Sequence, residues 1–93
     1  MAEELLRQQV FVRGANRPLA DLTLDDVRAR ADELRAAVGF GPTARVAPVA
    51  QAWRQLAMAM ERTGAASVAE VDAQALAEVA PRLWIAMPGM RSV

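Results

Sequence analysis

An all-α fold is predicted for this chain, a compact bundle of four main helices at about 2–12, 24–38, 48–62 and 73–87, joined by short helical turns. Three features predict it. Alanine supplies 21 of the 93 residues, and Leu, Arg, Glu and Gln are also common, all residues that lose little freedom in a helix. Strand formers are sparse, with no Tyr and a single Ile. Apolar residues recur at intervals of three and four, the helical period.

The first helix is expected from residue 2 to about 12, with Glu3 and Glu4 near its positive N-terminal end. Val10, Phe11 and Val12 suit an extended strand equally well, so residues 8–12 are open to both conformations. Gly14-Ala15-Asn16-Arg17-Pro18 is a cluster of breakers and reads as a loop. The second helix is the best marked. Thr23 is an N-cap type, and Asp25 and Asp26 stand in the first turn. Leu24, Val27, Ala31, Leu34 and Val38 form its buried stripe, and Gly39 followed by Gly41-Pro42 marks its end.

Pro48 suits the first turn of a third helix, which runs to Arg62 ahead of Gly64, after a short helical turn at 43–47. Its stripe is Val49, Trp53, Leu56 and Met60. Ser67-Val68-Ala69-Glu70 matches the capping-box pattern, and Asp72 is a second cap five residues later. A helical turn at 68–71 and a fourth helix from 73 are expected, with Leu76, Val79, Leu83 and Met87 buried. Pro81 lacks the N–H that would bond the Ala77 carbonyl, so it should kink or divide that helix. Pro88-Gly89 ends it and leaves 88–93 as a frayed tail of one domain spanning 1–93.

Composition narrows the function. With 54 % apolar and 24 % charged residues, the chain is too apolar for a disordered segment and too charged for a membrane protein. All eleven cations are arginine, which reads as a GC-rich, actinobacterial coding bias, and eleven acids bring the formal charge to zero. No overall field draws it to nucleic acid or an anionic membrane. Glu3, Glu4 and Arg7 interrupt what a secretory signal would keep apolar, so a cytoplasmic location is expected.

Chemistry is harder to place. His, Cys, Lys and Tyr are all absent, which removes the usual general bases and most nucleophiles. The five hydroxyls have no base at a recognisable spacing, and Thr23 and Ser67 read as caps. Asp25 and Asp26 are adjacent, so on a helix they point about 100° apart and do not converge on a cation. Asp26 with Arg30, and Glu78 with Arg82, read as ordinary surface pairs. Gly39-Phe40-Gly41-Pro42 lacks the lysine of a phosphate loop. No enzyme, cofactor or metal is expected.

Contact is the remaining reading. Met58 falls on the polar side of the third helix, and Ile85 on the polar side of the fourth. The segment containing Trp84, Ile85, Met87 and Met90 is apolar on every face, as interface cores are. These five residues are the expected protein-contact set of a non-catalytic helical adaptor or accessory subunit, with self-association as a homodimer one form. Trp84 has a competing role, closing the end of the bundle. The alternative function is a small nucleic-acid-binding module that uses Arg13, Arg17 and Arg45 on a phosphate backbone. The run Val49–Arg62, Gly64, Ser67–Asp72 and Leu76 resembles the helix–turn–helix rhythm of SAM-like N-terminal domains of tyrosine recombinases. That resemblance spans less than a third of the chain and implies a basic DNA-binding face, which a neutral chain does not offer, so no family is assigned from it.

Overall fold

A computed structural model of the protein describes residues 2–37 and 46–84. In chain order these form α1 (Ala2–Arg7), β1 (Gln9–Val12), β2 (Ala15–Pro18), α2 (Leu24–Ala37), α3 (Val46–Thr63) and α4 (Ala73–Val79). Three single 3₁₀ turns, Leu19–Asp21, Val68–Glu70 and Ala80–Arg82, sit at the connections. The fold is mostly helical, but a two-stranded antiparallel sheet departs from the expected all-α bundle.

Of the two conformations left open for residues 8–12, the extended one holds, and the first helix is short. It ends at Arg7, where the Gln8 N–H turns back onto the Leu5 carbonyl at 3.1 Å. Gln9-Val10-Phe11-Val12 then runs extended, alternating exposed and buried. Two β-branched valines, stiff at χ1, and a phenylalanine in four residues fit a pleated surface better than a helix. The segment 14–18, expected as a loop, supplies the partner strand. Val12 faces Ala15 and Gln9 faces Pro18, leaving a two-residue turn of Arg13 and Gly14. Their φ angles of 56° and 81° are both positive, as a type I′ hairpin turn requires. Pro18 falls at the strand's end, and the next N–H, that of Leu19, donates to the Gln8 carbonyl at 2.8 Å.

The second and third helices follow the expected boundaries closely. Thr23 precedes α2, and its carbonyl accepts the first helical bond from the Val27 N–H at 2.9 Å. Val27, Ala31 and Leu34 are buried, and Leu24 packs against the core from the edge. The α3 helix begins at Val46, two residues before Pro48, and buries Val49, Trp53, Leu56 and Met60 together with Ala50, Ala52 and Ala57. Of these, Ala57 lies beside Ala31 of α2, the main packing partner of α3. Gly64, at φ 72°, ends α3, and the Ala65 N–H reaches the Met60 carbonyl at 3.0 Å as in a Schellman stop. The expected turn at 43–47 coincides with α3 over its last two residues. Its earlier part, the stop after Val38 and the tail 88–93 lie outside the described residues.

The capping box expected at 67–70 does not form, because Glu70 reaches one residue past the N-cap. The Glu70 carboxylate accepts from the Ala66 N–H at 3.0 Å, but the Ser67 hydroxyl makes no capping bond. Asp72 caps α4 as expected, accepting from Gln74 and Ala75 N–H at 3.1 and 3.3 Å. Instead of continuing to 87, α4 stops at Val79, and Pro81 sits in the 3₁₀ turn that follows. The missing N–H at Pro81 costs nothing in a tightened last turn, and that turn swings Leu83 fully into the core. One hydrophobic core results, with Val10 and Val12 of the sheet meeting Leu19, Leu22, Trp53, Met60, Val68 and Leu76.

Candidate protein-contact surface

Local sequence builds a polar junction where the hairpin meets α2. Thr23-Leu24-Asp25-Asp26 places a carboxylate three residues after the N-cap. The Asp26 N–H donates to the Thr23 hydroxyl oxygen at 3.2 Å, and one Asp26 oxygen accepts from the Thr23 N–H and hydroxyl, each at 3.1 Å. The other oxygen takes the Arg17 guanidinium at 2.6 Å and the Arg13 guanidinium at 3.3 Å. Asp26 is only 2 % exposed, and it is the buried charged residue among the described residues. Burial pushes its carboxyl pKa up, but the bonds from Arg17 and Thr23 outweigh this and hold it below the ordinary 3.8. In place of the expected Asp26–Arg30 surface pair, the buried Asp26 carboxylate pairs with the partly exposed hairpin arginines.

Arg30 instead donates to the Phe11 carbonyl at 3.1 Å and lies over the Trp53 ring, 5.8 Å from its centroid. Burial lowers its pKa, and Glu33 partly offsets that. Its Nε and that of Arg17 are buried without a partner among the described residues. Arg13 adds two backbone-linked contacts, its N–H to Glu33 at 3.2 Å and its guanidinium to the Asp25 carbonyl at 3.4 Å. Two of the three arginines considered for nucleic acid thus converge on one carboxylate. Arg45 lies outside the described residues.

Trp84 packs on Trp53 with ring centroids 6.4 Å apart and planes tilted by 58°. The Trp53 indole N–H donates to the Leu83 carbonyl at 2.9 Å, fixing the segment that carries Trp84. Trp84 is half-buried, so it closes the core while keeping one edge outward. Ile85, Met87 and Met90 lie outside the described residues. The expected Glu78–Arg82 ion pair is a bond from the Arg82 guanidinium to the Glu78 backbone carbonyl, at 3.0 Å.

Met58 is 58 % exposed, as its place on the polar side of α3 implied. It borders a shallow groove between α2 and α3, beside Arg28, Asp32, Arg54 and Glu61. Arg28 and Glu61 form an ion pair across the groove. Phe11 is the second exposed large apolar residue, at 55 %. Sequence reasoning missed it, although the alternation through Gln9–Val12 puts it opposite Val10 and Val12 once the segment is taken as a strand.

Among the described residues no group of His, Cys, Asp or Glu has the arrangement of a metal site. No described helix is long and apolar enough to cross a membrane. The chain matches no family model, no curated protein and no solved structure.

Proposed function

We propose that the protein is a non-catalytic helical adaptor or accessory module of the cytoplasm that works through protein–protein contact, self-contact included. The observation that carries this reading is the exposure of Met58 and Phe11, the large apolar side chains that stand outside the core among the described residues. The absence of His, Cys, Lys and Tyr from the sequence supports the non-catalytic part. The nucleic-acid alternative has less support, because Arg13 and Arg17 share the Asp26 carboxylate and the chain has no net charge.

An ¹H–¹⁵N correlation spectrum followed over a wide protein concentration range, and again with a mixed-sequence DNA oligonucleotide at low salt, tests the reading. Contact predicts concentration-dependent shifts grouped around Met58 and Phe11, and no response to DNA. A spectrum independent of concentration would overturn self-contact. Salt-sensitive DNA shifts at Arg13 and Arg17 would replace the reading with the nucleic-acid one.

A further inference from the structure

Along the outer side of α3, Arg54, Met58 and Glu61 fall within about 60° of one another at the helical 100° per residue. All three border the groove against α2, and Met58 is the exposed apolar residue among them. Glu61 is paired with Arg28 but keeps 44 % of its side chain exposed, so it can accept a second cation. Arg54 is exposed and has no ion-pair partner among the described residues.

The spacing of these charges is self-complementary. Arg54 and Glu61 lie at equal distances on either side of the midpoint between Ala57 and Met58. A twofold axis through that midpoint runs a second α3 antiparallel to the first, so position 54 of one copy meets position 61 of the other. Both residues flank Met58 on the same side, and a twofold axis perpendicular to the plane of two antiparallel helices preserves that side. The contact therefore forms twice, as an isologous interface demands.

We propose that α3 is a homodimerisation face, with Met58 packed against its counterpart at the twofold axis and Arg54 of each copy paired with Glu61 of the other. This deepens the contact reading above and rests on it. The patch is small and its ion pairs are exposed, so the dimer is weak and appears at high protein concentration.

Charge reversal tests the register directly. In R54E two carboxylates oppose each other at both ends of the contact, and in E61R two guanidinium groups do. Each variant alone should lose association by about tenfold or more, since like charges directly opposed disfavour binding. An equimolar mixture should recover it, because R54E offers two acids to the two bases of E61R. Sedimentation velocity on the separate and mixed variants, with circular dichroism to establish folding, reads this out. Should both variants associate as the wild type does, the α3 register is overturned while self-contact stands. Should the wild type stay monomeric at millimolar concentration, both fail. Should the mixture fail to associate while the wild type dimerises, the Arg54–Glu61 pairing is overturned.

Discussion

Removing the Asp26 carboxylate would strand two guanidinium groups where the hairpin meets α2. Asp26→Ala should cost about 2–3 kcal/mol, below the figure for a fully buried pair because the Arg17 side chain stays 36 % exposed. Chemical denaturation gives that value. Thr23→Ala, which removes the other half of the cap, should cost about 1 kcal/mol. The carboxyl also makes stability depend on pH. Its folded pKa is depressed, so its contribution is complete above the ordinary 3.8 and is lost as pH falls through the folded value. Asp26→Asn does not titrate. The stability gap between wild type and Asp26→Asn should be constant above about pH 5 and shrink below about pH 4. A gap that persists unchanged in acid would contradict the role given to the ionised form. The sequence marked Thr23 and Asp26 as helix-start residues, but the arginines that complete the site come from a hairpin, and partners nine and thirteen residues away are invisible to helical spacing.

The hairpin depends on its turn. At Gly14, φ is 81° and no heavy atom lies within 4 Å of where a Cβ would stand, so the cost of a side chain there is purely conformational. Gly14→Ala should destabilise by about 1 kcal/mol, measurable as a lower denaturation midpoint with an unchanged slope. Asn-Gly and Asp-Gly are the dipeptides that announce such a turn. Here Arg13 occupies the first left-handed position, held by Asp26 and by Glu33, and that substitution concealed the strand pair. At the other end, Trp53 anchors the 3₁₀ turn that replaces the last part of α4. Trp53→Phe keeps most of the ring but leaves the Leu83 carbonyl unpaired. It should cost about 1–3 kcal/mol and loosen the Trp84 environment, read as a red shift of the remaining tryptophan's emission. Pro81 was legible as a break, but whether a proline yields a kink or a tightened turn depends on what the next residues bury. Leu83 decides it here.

For the whole molecule, α2 and α3 were legible because both carry clear periodicity and their ends are marked by Thr23 and Gly64. These two helices form the main frame, and Trp53, Leu56 and Met60 at its centre were all anticipated as core. The candidate contact surface was half legible. Met58 is visible from a helical wheel alone, but Phe11 required knowing the strand, and the pairing of Arg28 with Glu61 across two helices required the tertiary fold. Trp84 shows why composition is a poor guide at a chain segment apolar on all sides. Its ring packs on Trp53 at the edge of the core and is half-buried, which is the core-closing one of its two expected roles; the contact role stays a proposal.

The most direct measurement is the weight-average mass by sedimentation equilibrium, from micromolar to millimolar concentration, for the wild type and for Met58→Asp. A contact module that pairs through α3 predicts a wild-type mass rising from 10.0 kDa toward twice that value, with Met58→Asp folded and held at 10.0 kDa. A wild-type mass that stays at 10.0 kDa throughout, or a Met58→Asp variant that dimerises equally well, would contradict it.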